Sequence, residues 1–266
     1  MIIKVKNLSN DDCFLIDLLK GNYFSKDLIK KLKKNYDVYK KVLVNEEIDV
    51  VLPDELTSVL SSKGNLNIIY EDDYIIIINK ENRLSTIPSI RHYQDNLASH
   101  IKYYYDQNNI KSGIHFINRL DKDTRGLLIV AKHQYIQSLF VKKNIEIIKK
   151  YYTLVKTFDY DEIIVEEPIA RYQDTNIRCI NPNGDYAKTL FTKLKETKNF
   201  CIVEATLFTG RTHQIRVHLK HLNCPIIGDV IYNEDKSGDF YLCSYYLRFN
   251  HPIFNKTLEF KLDLDI

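Results

Sequence analysis

The segment His115-Phe-Ile-Asn-Arg-Leu-Asp-Lys-Asp-Thr-Arg-Gly-Leu-Leu-Ile-Val-Ala-Lys132 carries two β-rich runs, residues 115–119 and 127–131, on either side of a short loop of Asp, Thr and Gly. A loop of that composition turns tightly and lifts a carboxylate, Asp121, off the end of a sheet to where a ligand can reach it. Arg119 beside it is a permanent positive charge suited to a phosphate or a polar base edge. Taken alone, the segment is first of all a hairpin with an acidic turn. The rest of the chain has to say whether it is more.

Upstream, residues 67–71 and 74–80 read as two buried strands joined by an Asp72-Asp73 turn, and Leu97, Ile101 and Tyr104 fall on one helical face. Downstream, a helix is predicted near residues 135–142 and strands at 151–157, 188–194 and 200–207. Gly210-Arg-Thr212 then opens a helix with Thr212 as N-cap and Ile215, Leu219 and Leu222 on its apolar side. Near the N-terminus, Ser25 is the expected cap of a helix bearing Leu28, Ile29 and Leu32, followed by β-like runs at 42–44 and 50–52. The polar residues 61–65 form a candidate linker, dividing the chain into units 1–62 and 66–266. Strands cluster instead of alternating strictly with helices. That predicts an α+β fold, a mostly antiparallel mixed sheet flanked by helices.

A chain of 266 residues with 44% hydrophobic and 27% charged residues is globular in composition. Its longest pure aliphatic run, Ile75 to Ile78, is far too short to span a bilayer, and the N-terminal residues lack an apolar signal core. Five scattered cysteines (Cys13, Cys179, Cys201, Cys224 and Cys243), never in a Cys-x-x-Cys pair, point to a reduced, cytoplasmic compartment and away from a zinc knuckle. The net charge of +3 identifies no partner, but its distribution is uneven. Between Lys20 and Lys41 stand eight lysines and two aspartates, among them Lys30, Lys31, Lys33 and Lys34. Such a patch is either an ordinary solvated helix face or a footprint for phosphates.

Chemistry-bearing residue types concentrate in three places: Arg119 with Asp121, Lys149-Lys-Tyr-Tyr152, and Gly210-Arg-Thr-His-Gln-Ile-Arg-Val-His-Leu219. The third sets Arg211, His213, Gln214 and Arg216 around a helix start, where free N–H groups and guanidinium groups favour an anion. His218 and His221 lack acidic or cysteine partners at ligand spacing, so no metal is expected. Gly228-Asp-Val-Ile-Tyr232 adds a second loop Asp near a Tyr, a weak signal by itself.

In order along the chain, these segments resemble the RluA-type family of RNA pseudouridine synthases. Asn118 to Leu127 match the family's (His/Asn)-Arg-Leu-Asp-x-x-Thr-Ser-Gly-Leu, and Gly210 to Leu219 match its Gly-Arg-Thr-His-Gln-Ile-Arg-Val-His-Leu in full. Pro225-Ile-Ile-Gly-Asp-x-x-Tyr232, Glu71 to Lys80, Lys149-x-Tyr151, Gly184-x-x-Ala-x-Thr-x-Phe191 and His251-Pro252 complete the series from Asn67 onward. Three positions depart from the pattern: Glu81 for a usual proline, Arg125 for a usual serine, and Cys243-Ser244 for a common His-Ala. More faintly, the first unit is similar to the αL RNA-binding fold of the S-four ribosomal protein, with a degenerate Val-Asn-Gly.

The resemblance implies an isomerase that converts uridine to pseudouridine without a cofactor, in ribosomal RNA of the large subunit or, as runner-up, transfer RNA. It implies a cytoplasmic monomer with no membrane partner. Asp121 would be the catalytic carboxylate, Arg216 its ion-pair partner, and Tyr151 the residue packing on the uracil face. Arg119 would fill the space vacated by the flipped base, with Arg211, His213, Gln214 and the lysine patch contacting RNA. Two other readings remain: an inactive RNA-binding or ribosome-assembly protein, and an unrelated hydrolase or glycosidase pairing Asp121 with Asp123 or Asp229.

Overall fold

The computed structural model describes residues 1–88, 94–173 and 175–263. Its N-terminal part comprises β1 (Ile2–Lys6), β2 (Cys13–Phe14), α1 (Leu15–Gly21), α2 (Lys26–Leu32), β3 (Lys41–Val42) and β4 (Glu47–Val51). Here β1 pairs antiparallel with β4, and β2 with β3. The Ser25 hydroxyl accepts from the Leu28 N–H and caps α2, as the sequence predicts. An irregular run including residues 61–65 leads from β4 into the larger part.

That part begins with β5 (Ile68–Glu71), β6 (Ile75–Lys80), α3 (Leu97–Gln107), β7 (His115–Phe116), β8 (Arg125–Ala131), α4 (Gln134–Lys142) and β9 (Ile147–Val155). It continues with β10 (Glu162–Val165), β11 (Ile169–Arg171), β12 (Arg178–Ile180), β13 (Thr189–Glu196), β14 (Cys201–Leu207), α5 (Gln214–His221), β15 (Leu242–Asn250) and β16 (Thr257–Lys261). A ten-stranded sheet runs β10-β13-β14-β9-β15-β8-β6-β5, with β16 on β15 and β7 on β8. Its neighbours are antiparallel except β15 and β8, which run parallel. The α+β fold expected from the pattern is therefore present.

Strands β6 and β8 read as continuous aliphatic runs because both faces of the sheet are covered. Ile75, Ile77, Leu127 and Ile129 face one side, packing with Tyr135, Ile136 and Leu139 of α4 and with Val5, Leu15, Leu19 and Ile29 of the N-terminal part. Ile76, Ile78, Leu128 and Val130 face the other, against Leu97 and Ile101 of α3 and Ile215 and Leu219 of α5. The N-terminal part thus shares a core with the sheet. Its contact includes Phe24 on Tyr135, ring centroids 4.4 Å apart, and the Tyr135 hydroxyl donating to the Asn22 carbonyl at 2.8 Å.

Gly126 allows the parallel junction of β8 with β15. It has φ +111°, and a β-carbon there would lie 2.2 Å from the Ser244 carbonyl oxygen. Only glycine lets the two backbones approach this closely.

Candidate active site

The predicted hairpin forms, but its first strand is short. Regular pairing ends at Phe116; the Ile117 N–H still reaches the Ile129 carbonyl at 2.9 Å, and the Asn118 side-chain oxygen then accepts the Ile129 N–H at 2.9 Å. The loop that follows is pinned on both sides of Asp121. Thr86 donates its hydroxyl to the Leu120 carbonyl at 2.6 Å, and the Lys80 ammonium donates to the Lys122 carbonyl at 3.1 Å. Lys80 also donates to the Glu81 and Leu84 carbonyls at 2.8 and 2.7 Å. Burial pushes its pKa down to about 8, against the opposing charges of Asp123, Asp121 and Glu81. Lys80 leaves only a faint trace in the sequence, a charged residue closing an aliphatic strand.

Between these anchors Asp121 opens into a cleft of about 690 Å³. Tyr151, Arg216, Arg119, Arg211, His213 and Gln214 all line it, together with Lys149 and Arg178. Lys149 and Tyr151 are two apart on β9 and so share a face of that strand. Burial lowers the pKa of Lys149, while Arg119 and Arg211 are exposed. Among the described residues that line the cleft, Asp121 is the one carboxylate, and it sits among several cations. Lys30, Lys31, Lys33 and Lys34 do not line the cleft; they are exposed on and just after α2.

Tyr151 is 6% exposed, and burial raises its hydroxyl to about 12, with Asp121 adding to the rise and a hydrogen bond with Ser244 opposing it. It is a neutral phenol at ordinary pH. Ser244, one of the departures from the family pattern, also donates to the Leu127 carbonyl at 3.0 Å.

Arg216 was expected to pair with Asp121 and does not. Its guanidinium forks onto Asp229, Nε to Oδ2 at 2.8 Å and Nη2 to Oδ1 at 2.7 Å. The reason is geometric: Gly228, at φ +70°, turns the following loop so that Asp229 faces α5 and is fully buried there. Asp229 Oδ1 also accepts the N–H groups of Ile231 and Tyr232. Burial alone would raise the Asp229 pKa, but the Arg216 fork and these backbone donors hold it below its ordinary value. Burial alone would likewise lower Arg216, and the Asp229 contact outweighs it; Asp121 contributes through its charge. The Arg216 guanidinium also lies over the Tyr232 ring at 4.9 Å. Bound in this way, Asp229 cannot serve as the second carboxylate of a hydrolase.

Two further expectations for the helix start are corrected. The N-cap is His213, at φ +59° and without a side-chain cap, instead of Thr212. The turn is held by Gln214, whose side-chain oxygen accepts from the Arg211 N–H and the Thr209 hydroxyl while its amide donates to Lys188 and Thr189. Gln214 is 3% exposed with its amide oxygen and both amide hydrogens engaged within the protein, so its polar atoms brace the turn in place of the RNA contact expected of them. His218 is equally occupied, by the Thr189 hydroxyl at 2.9 Å and the Glu167 carbonyl at 3.0 Å. Arg125, the unusual residue of the loop, stacks on Tyr241 at 4.3 Å and lines a second cavity of about 380 Å³ with Arg83 and Asp123.

The profile of the RNA pseudouridylate synthase family matches residues 74–221. An uncharacterized RNA pseudouridine synthase of Bacillus subtilis, YjbO, is 34% identical over 81% of this chain and 79% of its own. Ribosomal large subunit pseudouridine synthase D of Haemophilus influenzae is 30% identical over 82% of this chain and 74% of its own. The solved structure of human RNA pseudouridylate synthase domain containing 1 shares the fold, with a TM-score of 0.61 at 24% identity over 79% of this chain and 86% of that one. With its catalytic fold, its ordered motifs and its relatives in agreement, this chain belongs to the RluA-type family of RNA pseudouridylate synthases.

Proposed function

We propose that the protein isomerises specific uridines of large-subunit ribosomal RNA, with Asp121 as the catalytic carboxylate. The observation that carries this reading is the convergence of Asp121, Tyr151 and Arg216 on one cleft whose volume suits a small-molecule-sized group such as an everted nucleoside. Several of the similar bacterial proteins are named for the large ribosomal subunit, which supports large-subunit RNA as the substrate, with transfer RNA the alternative.

The reaction breaks the bond from ribose to N1 of uracil and makes one to C5. N1 ends with a proton, C5 loses one, and no electrons are exchanged. The accessible carboxylate of Asp121 acts at the ribose, by attack or by moving a proton. Tyr151 supplies a stacking platform, worth about 1–3 kcal/mol per base in comparable sites. Its raised pKa makes it a poor base as a standing phenolate. Arg216 holds the floor of the site through Asp229 and adds positive potential near Asp121. The base must leave its stack at a cost of a few kcal/mol, and the exposed Arg119 at the cleft is suited to fill the gap. Lys149, Arg178 and Arg211 line the path of the phosphates, and the lysines of α2, in an αL-type unit over residues 1–62, extend it.

An inactive RNA-binding protein would not need the pinned Asp121 loop. The test is tritium release from RNA labelled at C5 of uridine. Asp121→Asn is expected to bind RNA and release none; normal release by that variant would overturn the assignment. Carbodiimide mapping of ribosomal and transfer RNA, with and without the gene, identifies the substrate.

A further inference from the structure

We propose that His213 is a positioning residue: Tyr232 holds its imidazole in one tautomer, with the Nε2–H turned toward Asp121, and so orients the carboxylate at the substrate. The proposal rests on Asp121 being the catalytic group.

His213 lies between two partners. Its Nδ1 is 2.7 Å from the Tyr232 hydroxyl, and its Nε2 is 3.7 Å from Asp121 Oδ2. The Tyr232 oxygen already accepts the Arg178 backbone N–H at 2.8 Å. Its own proton is therefore best given to Nδ1, which makes Nδ1 an acceptor and leaves the ring proton on Nε2. The opposite tautomer would aim a second N–H at the Tyr232 oxygen, strand the phenolic proton, and turn an Nε2 lone pair toward a carboxylate. The second hydrogen bond of the ring thus chooses the face that Asp121 meets.

The surroundings favour the neutral ring. Asp121 reaches it from the loop before β8, Arg216 from α5, Arg178 from β12, and Asp229 and Tyr232 from the loop after α5. Burial and the charges of Arg216 and Arg178 lower the His213 pKa, outweighing Asp121 and Asp229. The separation of 3.7 Å exceeds a hydrogen bond by somewhat under ~1 Å, and catalytic contacts commonly tighten when substrate binds. The fold accepts a left-handed backbone at His213 to place the ring there, and Tyr232, its ring also under Arg216, is 4% exposed. A side chain that merely touched RNA would not need this support. It also explains why the two segments Gly210 to Leu219 and Gly228 to Tyr232 occur together: the second carries the partners of both Arg216 and His213.

The experiment compares His213→Asn and His213→Gln on large-subunit RNA transcripts carrying uridine tritiated at C5. Asparagine suits the left-handed backbone better, whereas glutamine reaches further and can present an N–H near the place of Nε2. We expect His213→Gln to keep at least about a third of kcat, and His213→Asn to lose at least tenfold in kcat with KM within about twofold. A backbone role reverses that order, and an RNA contact moves KM; either result overturns the proposal. Nitrogen-15 spectra of the free wild-type protein are expected to report the Nε2–H tautomer of His213, and Tyr232→Phe to admit the Nδ1–H form. A wild-type Nδ1–H tautomer overturns the proposal without any turnover measurement. Release by Asp121→Asn instead overturns the assignment of Asp121, whichever way the His213 variants behave.

Discussion

Removing the charge of Asp229 should cost more stability than any change to Asp121. Arg216 and Asp229 are 5% and 0% exposed, and the carboxylate receives two hydrogen bonds from the guanidinium and two from backbone N–H groups. Asp229→Asn preserves the shape but sets an amide against a buried guanidinium that keeps its charge. Breaking one side of such a pair costs about 3–5 kcal/mol, a large part of the roughly 5–15 kcal/mol typical of a whole domain. At about 2–4 °C per kcal/mol for a chain of this size, Tm should fall by about 6–20 °C. Urea unfolding at pH 7 is the assay. The pH dependence has a definite sign: the folded-state pKa of Asp229 is depressed, so its contribution is complete above the ordinary carboxylate range and disappears as pH falls through the lower folded value. The gap between wild type and Asp229→Asn should therefore narrow in acid. The double change Arg216→Met with Asp229→Asn removes the orphaned charge while keeping an acceptor for the Ile231 and Tyr232 N–H groups, and should recover part of the lost stability while remaining inactive. A loss below about 1 kcal/mol for Asp229→Asn would refute the argument that this ion pair is dry and mutually dependent.

Other expectations follow from the same kind of reasoning. Burial alone would raise Asp72, but it accepts from the Tyr74 and Ile75 N–H groups and the Tyr70 hydroxyl and has His251 Nε2 at 3.1 Å, and together these take it from 3.8 to about 2. Asp72→Asn should therefore cost about 2 kcal/mol at pH 7, shrinking between pH 4 and pH 2 in acid titration of unfolding. Gly126→Ala must push β8 off β15, and a loss of at least about 2 kcal/mol in urea unfolding is expected. Replacing Lys30, Lys31, Lys33 and Lys34 with alanine should raise KM for RNA. It should also reduce the slope of log affinity against log salt by about 0.7–0.9 for each lysine that meets a phosphate; an unchanged slope would remove this patch from the interface.

Much of the cleft was legible in order along the chain because its elements are local. The aliphatic runs of β6 and β8, the α3 face through Leu97 and Ile101, and the Ser25 cap each follow from spacing within a few residues. The strands β1, β10, β11, β12, β15 and β16 left weaker local traces. The β15 strand, for example, pairs with β9 and β8, both far earlier in the chain. The ordered motifs named Asp121, Tyr151, Arg216 and His213, and the cleft gathers them.

By itself the sequence determined which side chains would be present, and which runs would be strand or helix, since hydrophobic period and capping act over single turns of chain. Tertiary structure alone decided who meets whom. Arg216 chose Asp229 over Asp121, Gln214 turned inward to brace its own loop, and His213 came to rest between Tyr232 and Asp121. A charge or a ring nitrogen satisfies whichever partner the folded backbone carries within reach, and that reach is a distance in space that spacing along the chain does not encode.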